Sequence, residues 1–151
     1  MQFNKRELDP HEYVAVTNGY PGTLIYRSRK TGDETKWEEY LDTQELELQE
    51  LKSAKISDKK FFNAHWFILE PDVVEWLGAT KIYENWRSDE EILKMCDKTP
   101  DKILEYIDSL TDEQLETFVP RIYHLVESGE IDSRAVIKAL KERLNIELVD
   151  D

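Results

Sequence analysis

In Trp66-Phe67-Ile68-Leu69-Glu70-Pro71-Asp72-Val73-Val74-Glu75-Trp76-Leu77-Gly78 the chain changes its hydrophobic period. Trp66 to Leu69 is a continuous apolar run too short for a helix, which reads as a buried strand. Pro71 lacks an N–H and biases the residue before it away from the helical region, so it breaks the chain there. Beyond it, Asp72 precedes Val73-Val74-Glu75-Trp76-Leu77 and Gly78 follows, the pattern of a capped amphipathic helix. Alternation and turn chemistry prevail on one side and three-to-four spacing on the other, and these periods are not interchangeable. The expected fold class is α+β with its seam at Pro71. Residues 1–70 form a β-rich subdomain with one helix, and residues 71–151 an acidic, all-helical subdomain.

Working back towards the N-terminus, Tyr13 to Thr17 places Val14 and Val16 on one strand face before the turn formers Asn18-Gly19-Tyr20-Pro21-Gly22. Thr23 to Arg29 is rich in β-branched and aromatic residues and stops at Lys30-Thr31-Gly32-Asp33, after which Glu34 to Tyr40 mixes Thr, Trp and Tyr. An antiparallel β meander is expected from about Tyr13 to Tyr40. Asp42 and Glu45 have capping-box spacing, and Leu48 and Leu51 recur at helical spacing, so a helix is expected over Thr43 to Lys55.

Working forward, cap signals recur at short intervals: Ser88 three before Glu91, Thr99 ahead of Pro100, Thr111 three before Gln114, and Asp132 ahead of a helix to about Arg143 with Asn145 as a left-handed stop. Pro120 should start, kink or split the helix between Thr111 and Gly129. Short amphipathic helices need neighbours to cover their apolar stripes, so a bundle follows. The expected core is Val14, Val16, Ile25, Leu48, Leu51, Trp66 and Ile68 in the first part. In the second it is Val74, Leu77, Ile103, Ile107, Leu115, Ile122, Leu125, Val136 and Leu140.

The 151 residues allow one ordinary domain or two small ones, and four Trp with seven Tyr carry too much apolar surface for a disordered chain. The net charge of −13 is uneven: residues 1–70 carry 10 bases and 13 acids, residues 71–151 10 bases and 20 acids. Such a field repels phosphates and anionic headgroups, so nucleic acid and membrane are not the expected partners, whereas a basic protein is favoured. The bland reading of the same charge is solubility. One cysteine, Cys96, excludes an intramolecular disulfide and fits a reducing compartment. Met1-Gln2-Phe3-Asn4-Lys5-Arg6 shows no apolar leader, and the longest apolar run is far short of the roughly 20 residues a membrane span needs, so the protein is expected to be neither secreted nor embedded.

Catalytic, metal and cofactor motifs do not emerge. His11, His65 and His124 are far apart without zinc-spaced partners, the five glycines form no phosphate-cradling loop, and Cys96 has no neighbouring histidine to activate it. Carboxylate pairs such as Glu90-Glu91 and Asp112-Glu113 are explained by the helix dipole. The expectation is a protein with no enzymatic activity, no cofactor and no metal, acting through protein–protein binding. Its aromatic and arginine side chains are the anchors of choice, since Trp, Tyr and Arg dominate interface hot spots. Tyr20, Tyr26, Arg27, Arg29, Trp37 and Trp86 are the candidate partner-binding residues. Arg27, Arg29 and Lys30, with Lys52, Lys55, Lys59 and Lys60, form a local basic feature that suits phosphate or an acidic neighbour, although a solvent face or charge-managed edge strand explains it better.

Three segments carry a resemblance: Val16-Thr17-Asn18-Gly19 through Trp37-Glu38-Glu39-Tyr40, Glu47-Leu48-Gln49-Glu50-Leu51, and Glu127-Ser128-Gly129-Glu130-Ile131-Asp132-Ser133. Over most of its length the chain resembles a loose family of small proteins encoded by bacteriophages and prophages of Gram-positive hosts. The resemblance implies a context and no residue role: phage proteins of this size without catalytic motifs are often virion parts, assembly factors or inhibitors of host systems. The expected function is thus a phage structural or assembly protein at the capsid or head-to-tail region, multi-copy in an assembly, located in the virion or the host cytoplasm. The alternative is an acidic inhibitor that substitutes carboxylates for nucleic-acid phosphates on a host nucleic-acid-binding or defence protein.

Overall fold

The computed structural model describes residues 7–97 and 99–148; Met1–Arg6, which the reading of the N-terminus invoked, lie outside these, as do Lys98 and Val149–Asp151. The fold is α+β, with antiparallel strands followed by helices. It divides into two compact units, Met1–Glu84 and Asn85–Asp151.

In the first unit, β1 (Tyr13–Asn18) is the centre of a three-stranded antiparallel sheet between β4 (Thr43–Glu47) and β5 (Phe67–Leu69). The register pairs Tyr13 with Glu47 and Val16 with both Gln44 and Leu69. β2 (Leu24–Arg27) and β3 (Glu34–Trp37) form a separate hairpin, so the meander is distributed over two sheets. Asn18 ties the pieces together. Its buried amide donates to the Gly22 and Glu39 carbonyls at 2.8 and 2.9 Å and accepts the Tyr20 N–H at 2.8 Å, satisfying the side chain inside the fold. Trp37 has no exposed surface and donates Nε1–H to the Val16 carbonyl at 2.9 Å, which locks the hairpin onto the sheet. Phe67 sits at the centre of an aromatic cluster with Trp37, Phe61 and Phe62, at ring separations of 5.5, 4.9 and 5.4 Å. Burying each such ring stabilises the fold by roughly 1.5–3 kcal/mol relative to leaving it in water.

Several expectations are corrected here. Thr43–Glu47 is strand β4, and helix α1 begins only at Leu48, running to Ser57. Asp42 does not cap it: its carboxylate accepts the Glu39 N–H at 2.9 Å and closes a turn instead. Ile25 is exposed, because Leu24 and Tyr26 take the inward face of β2. Arg29 lies beyond the end of β2, in the turn. Trp66 and Ile68 are half-buried.

Pro71 is not the seam. It is the first residue of α3 (Pro71–Trp76), whose Val73 and Val74, with Leu77 and Ala79 after them, complete the core of the first unit. After the short α2 (Lys60–Asn63), His65 adopts a left-handed φ of 60° and its Nε2 meets the Ile82 carbonyl at 2.7 Å. Its ring stacks on Tyr83, at the end of α4 (Thr80–Tyr83), and the Tyr83 hydroxyl donates to the Phe67 carbonyl at 2.6 Å. These bonds hold α4 on the strand unit and shift the boundary to Glu84–Asn85. The first unit then carries 11 bases and 16 acids, and the second 9 and 17.

The second unit packs α5 (Asp89–Met95), α6 (Asp101–Asp108), α7 (Asp112–Glu127) and α8 (Arg134–Leu144) around Ile92, Ile103, Ile122, Leu125, Val136 and Leu140. Both expected capping boxes form, Ser88 with Glu91 and Thr111 with Gln114, and Asn145 is the left-handed C-cap of α8. Two caps are displaced by one residue, to Pro100 for α6 and Ser133 for α8. Helix α7 runs through Pro120 without a break, because Phe118, Ile122 and Leu125 on either side are buried and hold it in register. Leu115 is half-buried. Arg121, 7% exposed, pins the start of α5 to α7 through two bonds to Asp89 Oδ1 at 2.9 and 2.7 Å and one to the Arg87 carbonyl at 2.8 Å.

Candidate functional site

The six candidate partner-binding residues do not form one surface. Trp37 is enclosed, and Tyr26, 2% exposed, faces inward, so neither can anchor a partner while the first unit stays folded. The core took these side chains because a small sheet needs large rings to fill it. Tyr20 is half-buried and packs edge-on against Trp66 at 5.2 Å. Arg27 is exposed and pairs with Glu34 across the hairpin, and Arg29 is exposed and makes a two-pronged bond to Asp58 at 3.1 and 2.8 Å. Trp86 is half-buried in the other unit.

The basic feature has a physical frame. Glu50, on α1, accepts from the Tyr26 hydroxyl at 2.6 Å and from Ser28 Oγ at 2.8 Å, while Ser28 Oγ accepts the Lys30 and Thr31 N–H groups at 3.2 Å each. Burial, reinforced by the Glu50 carboxylate, pushes the Tyr26 phenol up, so it stays a neutral donor. The Arg29 hydrogen bond holds the Asp58 carboxyl below its usual range. Hairpin turn and α1 are thus fastened together, and the segments 27–30 and 52–60 carry seven bases and one acid, Asp58, with Arg27 paired to Glu34 and Arg29 to Asp58. Ile56 stands among them at 71% exposure, the most exposed large apolar side chain of the described residues.

The second unit presents the opposite character. Among its described residues 14 acidic side chains are exposed against five basic ones. Asp101, Glu105 and Asp108 stand at i, i+4 and i+7 of α6 and share one face. Between the end of α6, the first half of α7 and the end of α8 lies an open concavity of about 360 Å³ with an apolar floor of Ile107, Leu110, Leu115, Val119 and Leu144. Its edge carries the ion pair of Asp108 with Arg143. No sequence signal marks this concavity, since its walls come from three helices and only their packing creates it.

Cys96 and His65 lie inside the fold. Cys96 is buried and its thiol is pushed up to about 11 by desolvation, which keeps it protonated and a poor nucleophile at neutral pH. His65 is fixed between the Ile82 carbonyl and Tyr83. Among the described residues no three His, Cys, Asp or Glu side chains converge as a metal ion requires, and no helix is long and apolar enough to cross a membrane. Comparison of the chain with protein-family models, with curated proteins and with solved structures returns no match.

Proposed function

We propose that the protein works by binding other proteins, as a structural or assembly component of a bacteriophage particle, with its helical unit as the receiving surface for a basic partner. The observation that carries this reading is the exposed charge of the second unit, 14 acids to five bases among its described residues, on a unit that also carries an apolar concavity edged by Asp108 and Arg143. An apolar floor inside a charged rim is the anatomy of a protein-binding face, where the floor supplies affinity and the rim orientation and encounter rate. The phage setting rests on the family resemblance. Mass spectrometry of purified particles and assembly intermediates is the test: the chain is expected at a defined copy number, and its consistent absence from both removes the particle reading.

A second reading, an inhibitor that offers carboxylates in place of phosphates, is favoured by the aligned Asp101, Glu105 and Asp108 of α6. The stripe is confined to that eight-residue helix, which ranks it second. Pull-down from host lysate at low and high salt separates the two. An inhibitor of this kind recovers a nucleic-acid-binding protein whose retention falls steeply with salt, as expected for exposed charges beyond a Debye length of about 8 Å at physiological ionic strength.

A further inference from the structure

A single exposed isoleucine is ordinary on a protein surface. Ile56 is distinguished by its surroundings. On α1 it shares a face with Lys52, one turn earlier, and is flanked by the half-buried Lys55; Lys59 and Lys60 follow beyond the helix, Lys60 lying over the Trp66 ring. The Arg29–Asp58 bond brings the turn bearing Lys30 to the same end of the helix. The result is an exposed apolar knob with more basic than acidic side chains near it in sequence, on a chain whose net charge is −13. The concavity of the second unit is its counterpart: an apolar hole with the Asp108–Arg143 pair at its edge, and with Asp112 and Glu116 on the same face of α7 as Leu115 and Val119.

We propose that these two surfaces, on two copies of the chain, bind each other, with Ile56 of one copy entering the concavity between α6, α7 and α8 of the next. The inference rests on the reading of the helical unit as a receiving surface and names its occupant. Volume permits it, since about 360 Å³ holds an isoleucine side chain together with the methylene stems of Lys52 and Lys55, whose ammonium groups then reach the acidic rim. Charge permits it as well. The net repulsion between copies is screened over about 8 Å at physiological salt, so the facing cations and anions decide the sign of the contact. Because knob and hole are different surfaces, each contact leaves one of each open, and the association is head-to-tail, giving a ring or a chain of copies. One knob covers far less than the roughly 1,600 Å² of a standard interface, so a single contact is weak, and it gains strength when many copies are arrayed.

Sedimentation velocity of the full chain, from micromolar to near-millimolar concentration at physiological salt, where the net repulsion is screened, tests this. Wild type is expected to grow with concentration past the dimer and to dissociate as salt is raised. Ile56→Gln, at an exposed helical position, should weaken association at least about tenfold, as loss of a central interface anchor does. Val119→Arg, which fills the concavity, should do the same, and Asp112→Lys at the rim replaces it if circular dichroism shows that Val119→Arg disturbs the helices. An equimolar mixture of the knob and hole variants should form a 1:1 complex and nothing larger, because only one intact knob and one intact hole remain. A wild type that stays monomeric throughout, association unaffected by Ile56→Gln, or a mixture that stays monomeric overturns the inference. A monomeric chain that is nevertheless found in particles would overturn it alone and leave the particle reading in place.

Discussion

Replacing Gly19 by alanine should be the most damaging single methyl addition in the first unit. Gly19 does not need its glycine for a left-handed φ. A Cβ there would overlap the His65 carbonyl oxygen and press on Ile68 Cγ1 and Cδ1 at 3.1 and 3.2 Å. The isoleucine tip can give way by a few tenths of an ångström. The carbonyl cannot, because His65 is held in its left-handed conformation by the bond to Ile82 and the stack on Tyr83. Relief must come from separating the strands, which stretches the 2.7 Å bond from Gly19 N–H to the Trp66 carbonyl. Overpacking of this kind costs about 1–3 kcal/mol and a weakened buried hydrogen bond about 1 more, offset by about 0.4–1 from the stiffer unfolded chain, for a net loss of about 1–3.6 kcal/mol. Gly32→Ala is the control: its φ of 78° is left-handed but a Cβ there meets nothing within 4 Å, so only the conformational penalty of about 1–2 kcal/mol applies, less the same offset of about 0.4–1. Equilibrium urea unfolding followed by tryptophan fluorescence reads both, since Trp37, Trp66 and Trp76 all lie in this unit. A Gly19→Ala protein no less stable than Gly32→Ala would refute the close-approach argument.

Ser88→Ala removes the side chain that accepts the Glu91 N–H at 3.2 Å and should cost about 1 kcal/mol, seen in hydrogen exchange as faster opening of α5 and not of α7. The lowered pKa of Asp58 means that the folded state binds its proton less readily than the unfolded one. Its stabilising contribution is therefore present above the ordinary carboxyl value of 3.8 and lost as pH falls through the lower folded value. The stability gap between wild type and Asp58→Asn should be constant near neutrality and close in acid, measured by urea midpoints across pH. Cys96 should react with a thiol reagent at neutral pH only at the rate at which the second unit opens, and denaturant should accelerate the reaction in parallel with loss of helical circular dichroism.

Local signals with a stereochemical cause were readable along the chain. The boxes at Ser88–Glu91 and Thr111–Gln114 and the left-handed stop at Asn145 depend only on neighbouring residues, and they form where their spacing indicates. What failed depended on distant partners. Thr43–Glu47 contains helix-like spacing, but β1 offers it a full antiparallel ladder, and the same Asp42 that suits a cap suits a turn equally well. Leu24-Ile25-Tyr26 is apolar at every position, so nothing local decides which parity faces inward until Trp37 fills the space beneath Leu24 and Tyr26. Pro71 reads as a break and is also a favoured first helical residue, and only the packing of Val73 and Val74 onto the strands shows which role it plays. Residue type alone does not sort the aromatic residues into core and surface, and Tyr26 and Trp37, which suit an interface anchor, fill the core instead. Ile56 stood out only once its exposure was known, and the concavity only once three helices were packed.

The chain folds as two separately cored units with the boundary in sequence at Glu84–Asn85. Stability of the fragments 1–84 and 1–70, compared by urea unfolding and amide chemical-shift dispersion, tests that division most directly. The 1–84 fragment should unfold cooperatively with the shifts of the intact chain. The 1–70 fragment lacks Val73, Val74, Leu77 and Ala79 from its core and both partners of His65, and should be largely unfolded. A 1–70 fragment as stable as 1–84 would contradict the division and return the seam to Pro71.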